Sequence, residues 1–180
     1  LREHLLSDSL SFGERWGGDS GEPTMIDIDI RKARAADVPG IVKLWSELQA
    51  ANAEVEPRLR PHRRGTEWYS EYMEMQLEDS ATAVYVAVAQ VEVVGFTFGQ
   101  IMQRPTLKDG RCGFVADLCV RSAERRQGIG RRLYNELKDW FDRRDITSLE
   151  VQVVSRNEDA AGFWNTMGFG DFMRTLRVDA

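Results

Sequence analysis

The chain has 180 residues, of which 42% are hydrophobic and 29% charged, and it carries a formal net charge of −5 with a pI near 5.2. That length suits one core of ordinary size and is short for two, and no apolar run approaches the roughly eighteen residues that a membrane helix needs. The acidic balance argues against general nucleic-acid binding, whose phosphate-dependent part requires a basic face, and suits a cationic substrate better.

Residues 1–24, "LREHLLSDSLSFGERWGGDSGEPT", are rich in Gly, Ser and charge and have no steady periodicity. They predict a flexible extension ahead of a single domain over residues 25–180, which Met25 could begin. The extension has neither a long apolar run nor a small-residue cleavage site, so it does not read as a secretory signal.

In "MIDIDIRKA", Ile26, Ile28 and Ile30 alternate with polar residues, the period of a half-buried strand. "ADVPGIVKLWSEL" then spaces Val38, Ile41, Val42, Trp45 and Leu48 at three and four, with Asp37 where a helix dipole favours an anion. "EVEPRLRPHRRG" reads as a loop. "TEWYSEYMEMQLED" carries Trp68, Tyr72 and Met75 at helical spacing, which predicts a second helix with those residues on its apolar face. "TAVYVAVAQ", "EVVGFTFGQIM" and "CGFVADLCV" are β-rich runs separated by turn signals and predict three consecutive antiparallel strands.

Next comes "ERRQGIGRRL", four arginines around two glycines in an acidic chain, leading into a helix whose stripe is Ile129, Leu133, Leu137, Trp140 and Phe141. "SLEVQVV" reads as a buried strand, "EDAAGFWNTMG" as a short helix closed by Gly168, and "FGDFMRTLRV" as a last strand. The order β α α β β β α β α β predicts an α/β (α+β) fold, with about four helices flanking a mixed sheet of about six to seven strands.

Cys112 and Cys119 lie seven residues apart in one predicted strand, about 23 Å, far beyond disulfide reach. A reduced, cytoplasmic protein is the simplest expectation. The two histidines, His4 and His62, have no ligand partner at a recognised spacing, so no metal is expected.

A strand ending at Val120, then Gly128 and Gly130, then a helix, is a geometry that makes anion sites. The first helical turn leaves N–H groups unpaired, and glycine lets a phosphate approach the backbone. The plainer alternative is a turn shaped by glycines and coated by solvated arginines. A P-loop is excluded because no Gly-Lys pair occurs in the chain, and the dinucleotide pattern fails at its third glycine, which is Leu133. The pattern present is R-x-x-G-x-G, running from Arg125 to Gly130.

That pattern resembles the pyrophosphate-binding motif of the GNAT superfamily of acyl-CoA-dependent N-acetyltransferases. The resemblance covers residues 26 to about 178: "IRKARAADVPGIVKLWSEL" is similar to the family's opening strand and helix, and "ADLCVRSAERRQGIGRRL" to its fourth strand and third helix. Asn157 opens an Asn-x-x-Ala-x-x-Phe pattern followed by Gly-Phe, similar to the family's closing elements.

The resemblance implies acetyl transfer from acetyl-CoA, as co-substrate and without a metal, directly onto an amine of a small molecule or peptide, in a protein that is often a homodimer. It implies a pyrophosphate cradle of backbone N–H groups over Arg125, Arg126, Gln127, Gly128, Ile129, Gly130 and Arg131. It further implies pantetheine contacts along Leu118, Cys119 and Val120, and an asparagine, Asn157, facing the cofactor; Asn157 also suits a helix N-cap. Main-chain N–H groups at Leu118 and Cys119 would serve the reacting carbonyl oxygen.

Most of an alkyl amine is protonated at neutral pH, its pKa lying near about 10.4, so a base or a water path is required. Asp117 is the candidate base or amine anchor, and Glu54 and Glu56 are candidate substrate carboxylates. Cys119, without a histidine partner, reads as a small buried residue rather than a nucleophile. The family often has a tyrosine after the phenylalanine of its fourth helix to protonate the leaving thiolate, whereas this chain has Phe163 and Trp164, and an indole N–H does not release its proton. This departure keeps open an acyl-CoA-binding regulatory module with little turnover. A dinucleotide-dependent enzyme is a further alternative.

Overall fold

The computed structural model describes residues 27–106, 108 and 110–179. The extension expected over residues 1–24 lies outside these residues. Five strands form one sheet in the order β1-β2-β3-β4-β5: β1 Ile28–Lys32, β2 Thr82–Ala89, β3 Glu92–Gln103, β4 Arg111–Val120 and β5 Leu149–Val151. The first four pair antiparallel and β5 runs parallel to β4, so the mixed α/β sheet expected from the sequence is present.

Among the described residues the sheet has fewer strands than expected. Phe169–Val178, expected as a last strand, forms none. Apolar residues favour a strand only where they fit a pleated, half-buried surface, and Phe172, Leu176 and Val178 of this segment are exposed.

Among the described residues, four α-helices cover the two faces: α1 Val38–Val55 and α2 Gly65–Glu78 on one, α3 Ile129–Asp142 on the other, with α4 Glu158–Thr166 adding Trp164 to the core beside α3. The helix α1 starts where the sequence places Pro39 in its first turn, a position whose N–H has no intrahelical partner in any case. Its N-cap, Asp37, is buried and held in place by three hydrogen bonds. Arg31 donates to both carboxylate oxygens, at 2.7 and 2.9 Å, and the Arg34 N–H donates at 2.7 Å. These donors, the Arg31 guanidinium foremost, hold the Asp37 pKa below the usual carboxylate range.

The α2 helix buries a different face from the one expected. Tyr69 and Met73 pack against the sheet, whereas Trp68, Tyr72 and Met75 are exposed. Both sets satisfy helical spacing, and the set inside is the one that meets Val84, Val86, Phe96 and Phe98 of the sheet.

On the opposite face, α3 buries Ile129, Leu133, Tyr134, Leu137, Trp140 and Phe141. It lies close to the sheet because Gly99 and Gly113 have no side chains. A Cβ at Gly113 would come within 2.5 Å of Leu149 Cδ2 and 2.7 Å of Phe141 Cε1, and one at Gly99 within 2.8 Å of Leu137 Cδ1.

Candidate active site

The sheet opens beside β4. Its pairing with β5 covers only Gly113–Val115 against Leu149–Val151, and beyond Val115 the two strands no longer pair. At the same place β4 bulges. Phe98 stands opposite Asp117 and Gly99 opposite Val115, which leaves Ala116 as the extra residue.

Past the bulge, the backbone directions follow from the pairing with β3. The Arg121 N–H reaches Val94 O at 2.8 Å, and the Asp117 carbonyl accepts from Thr97 Oγ1 at 3.0 Å. Alternation therefore points the main-chain groups of Asp117, Cys119 and Arg121 toward β3, and those of Leu118 and Val120 into the opening. This corrects one sequence-based expectation: the Cys119 N–H faces the β3 ladder rather than the gap. The Cys119 side chain is buried on the α1 face, with Sγ 3.5 Å from Leu44 O, and burial pushes its thiol pKa up to about 12, unlike an activated nucleophile. Both cysteines are free and buried.

The glycine turn joins this opening to α3. Gly128 is the N-cap of α3 with φ of 78°, a left-handed conformation that glycine adopts without strain, and Arg126 before it has φ of 64°. The first backbone bond of α3 runs from the Arg132 N–H to Gly128 O at 3.1 Å, so the N–H groups of Ile129, Gly130 and Arg131 precede the helical ladder. A Cβ at Gly128 would meet nothing within 4 Å, so the approach is open.

The four arginines divide into two pairs. Arg125 Nε donates to Val120 O at 2.9 Å and Arg132 donates to Ile28 O at 2.9 Å, so these two bind the turn to the sheet. Arg126 and Arg131 are exposed and make no side-chain hydrogen bond among the described residues. Gln127 Nε2 reaches back to Ala123 O at 3.5 Å. The Arg125 N–H is already paired with Ser122 O at 3.3 Å and is not part of the open cradle.

Asn157 caps α4, its Oδ1 accepting the Ala160 N–H at 3.0 Å. Trp164 is buried in an aromatic cluster, edge-on to Tyr134 at 5.7 Å, Phe163 at 5.0 Å and Phe169 at 5.1 Å between ring centroids. It is a core residue.

On the α2 face of the opening, the Tyr69 hydroxyl donates to Asp117 Oδ2 at 2.9 Å. Asp117 is half-buried and its carboxyl group is enclosed. Burial pushes its pKa above the usual carboxylate range, and the Tyr69 hydrogen bond partly offsets that rise. The second oxygen, Oδ1, has no hydrogen-bond partner among the described residues.

Tyr69 stacks on Trp45, with centroids 4.3 Å apart and an interplanar angle of 11°. Together with Gln49, His62, Trp68 and Tyr72 they line a cleft of about 360 Å³. The sequence offered one signal for it, namely three aromatic residues (68, 69 and 72) crowded onto one helix.

The two loop glutamates have different surroundings. Glu54 lines a neighbouring recess with Ser46 and Arg60. Glu56 accepts from Arg58 Nε and a terminal nitrogen, both at 2.8 Å, and from Arg156 at 3.4 Å, while Arg58 also reaches Asp179 at 3.2 Å. The Arg58 guanidinium holds the Glu56 pKa at about 2. Its carboxylate is engaged with arginines rather than offered to an amine.

The α/β sheet is thus bulged and open on one side of its fourth strand, with the N-terminus of α3 at the opening. The model of the acetyltransferase (GNAT) family matches residues 43–169, and the chain belongs to that family. Comparison with curated protein sequences gives no match.

Among solved structures, a tetramutant of the BH1408 protein of Bacillus halodurans is similar at 19% identity and a TM-score of 0.75, over 84% of this chain and 99% of that one. A structure from Clostridium acetobutylicum, described as a predicted acetyltransferase with acetyl-CoA, is similar at 15% identity and a TM-score of 0.72, over 85% and 96%. The ribosomal-protein-alanine N-acetyltransferase of Brucella melitensis biovar Abortus 2308 is similar at 22% identity and a TM-score of 0.65, over 86% and 100%. At these identities the likeness is one of fold. Among the described residues no helix is long and apolar enough to cross a membrane, and no group of three or more His, Cys, Asp or Glu could hold a metal ion.

Proposed function

We propose that the protein is an N-acetyltransferase that transfers the acetyl group of acetyl-CoA to a primary amine of a small molecule or peptide. The observation that carries this reading is the opening beside β4, which has an anion cradle on its α3 side and a carboxylate with raised pKa on its α2 side.

The cradle fits a pyrophosphate. Three N–H groups precede the α3 ladder, the positive end of the helix dipole faces the same way, and no Cβ at Gly128 obstructs the approach. Arg126 and Arg131, unengaged elsewhere, supply mobile positive charge. Leu118 and Val120 line the gap with main-chain groups, and the Leu118 N–H is the donor available to a carbonyl oxygen there. Asn157 acts first as the cap of α4 and so sets the wall beside the turn.

Asp117 accepts the proton that the substrate ammonium must lose. A carboxylate with raised pKa is the stronger base, and Oδ1 is the oxygen left for the amine while Tyr69 occupies Oδ2. Acetyl-CoA supplies the acyl group as a thioester whose thiol has a pKa of about 8.5, so departure as thiolate does not demand an acid from the protein. This is consistent with Trp164 lying in the core.

The test follows free thiol while the protein is incubated with acetyl-CoA and a panel of amines and N-terminal peptides. Amine-dependent thiol release that falls by about 10² or more in Asp117→Asn is expected. Tight CoA binding with no release from any amine would instead favour an acyl-CoA-binding regulatory module.

A further inference from the structure

Among the described residues two carboxylates are buried, Asp37 at the start of α1 and Glu124, four positions ahead of Gly128. Arg121 grips Glu124 with two donors: Nε reaches Oε2 at 2.8 Å and Nη2 reaches Oε1 at 2.7 Å. The other terminal nitrogen, Nη1, donates to Glu92 Oε2 at 2.7 Å. One guanidinium therefore joins the first residue of β3, the end of β4 and the short helical turn Ser122–Glu124 that leads into the glycine turn. The main chain of Arg121 is fixed as well, its N–H on Val94 O at 2.8 Å and its carbonyl accepting the Glu124 N–H at 3.0 Å.

The glycine turn requires support from outside itself. Arg126 has φ of 64°, and a residue with a side chain keeps a left-handed conformation only where its surroundings over-determine it. Downstream, the turn is held by α3 and by the bond from Arg132 to Ile28 O. Upstream, Arg125 is tied to Val120 O, and the residue before it is Glu124. Charge is the second reason. A buried carboxylate next to an anion cradle opposes the anion unless a cation neutralises it. Arg121 supplies that cation, and its hydrogen bonds hold the Glu124 and Glu92 pKa values below the usual carboxylate range.

We propose that Arg121 and Glu124 are positioning residues for the cofactor: the fork between them fixes the upstream arm of the glycine turn, and so the direction in which the N–H groups of Ile129, Gly130 and Arg131 face a diphosphate. The proposal deepens the acetyl-transfer reading and rests on it for the identity of the anion.

Two variants separate position from charge. Arg121→Lys keeps the positive charge and removes the planar fork. Glu124→Gln keeps the shape and removes a negative charge near the cradle, so charge alone would make CoA bind more tightly, whereas loss of position makes it bind more weakly. Calorimetric titration of the full chain with CoA is expected to show affinity reduced about tenfold or more in Arg121→Lys and about threefold or more in Glu124→Gln. The KM for acetyl-CoA should rise by similar factors while kcat at saturation stays within about twofold of wild type. Asp37→Asn is the control, because it breaks an arginine fork of the same kind on the α1 side. It should lower stability in urea and leave CoA affinity unchanged. Backbone order parameters of residues 125–128 from NMR relaxation, about 0.85 for rigid backbone, should fall toward about 0.6 in the two turn variants.

CoA affinity that is unchanged or higher in both variants, or that falls equally in Asp37→Asn, overturns the proposal. A wild-type chain that binds no CoA removes the acetyl-transfer reading instead, and the order parameters then decide: a loosened turn in both variants upholds the fork, and an unchanged turn overturns it.

Discussion

The Tyr69 hydroxyl and the Asp117 carboxylate, 48 positions apart in the chain, meet at 2.9 Å across the boundary between α2 and β4. The bond joins α2 to the strand that borders the opening, and it opposes the rise that burial imposes on the Asp117 pKa.

Removing that hydroxyl in Tyr69→Phe should raise the Asp117 pKa further. A hydrogen bond to a charged group is worth about 1.5–3 kcal/mol, so the acid limb of kcat/KM against pH should move up by about one unit or more. The sign for stability follows the same shift. Because the folded pKa lies above the unfolded one, ionised Asp117 costs the native state nothing below the unfolded pKa and progressively more as pH rises through the folded value. The deficit of Tyr69→Phe in urea unfolding should therefore grow with pH over that window; a deficit that grows on acidification would contradict it.

Gly128→Asp places a side chain at a φ of 78° and a carboxylate at the mouth of the N–H cradle. CoA affinity, measured by calorimetry, should fall at least tenfold. Gly128→Asn, which tolerates the left-handed conformation and adds no charge, should keep most of it. Equal losses in the two variants would show that shape rather than charge governs the turn.

Trp164→Tyr restores the residue that the family often uses as an acid, but at a buried position among Tyr134, Phe163 and Phe169. The smaller ring and its enclosed hydroxyl should cost about 1–3 kcal/mol of stability without raising kcat. A clear rise in kcat would mean that the side chain at 164 reaches the thiolate.

Asp37→Asn breaks the fork between Arg31 and the start of α1. Because Arg31 is 27% exposed, the loss at neutral pH should be about 1–3 kcal/mol, short of that for a fully buried pair. The Asp37 pKa is lowered by folding, so this stabilisation is present above the ordinary carboxylate pKa and disappears as pH falls through the folded value. Urea unfolding of the two proteins should converge in acid.

The sequence was most informative where a local signal sufficed. β-rich runs separated by turn signals placed β2, β3 and β4, and the strand–glycine–helix order placed the turn at Gly128. It was misleading for α2, where the stripe through Trp68 and Tyr72 and the stripe through Tyr69 and Met73 are both helical, and only the position of the sheet decides between them. The aromatic cleft could not be read from one segment, because Trp45 and Tyr69 become neighbours only when two helices pack on the same sheet face. The same limit applies to Phe169–Val178, whose apolar residues find no sheet edge to join. The division of the four arginines into two that brace the turn and two that stay free likewise depends on Val120 O and Ile28 O, carbonyls that the motif does not reveal.

The missing side chains at Gly99 and Gly113 act at a distance. They seat the Leu137–Phe141 end of α3, whereas the anion cradle is at the other end, about 17 Å away at 1.5 Å per residue from Gly130 to Phe141. Because the helix is a stiff rod, a methyl group wedged under its far end would tilt it and swing the cradle out of line with the gap beside β4. Two positions with no part in binding or chemistry thus set the aim of the site, and variants there should lose cofactor affinity while every residue around the cofactor keeps its identity.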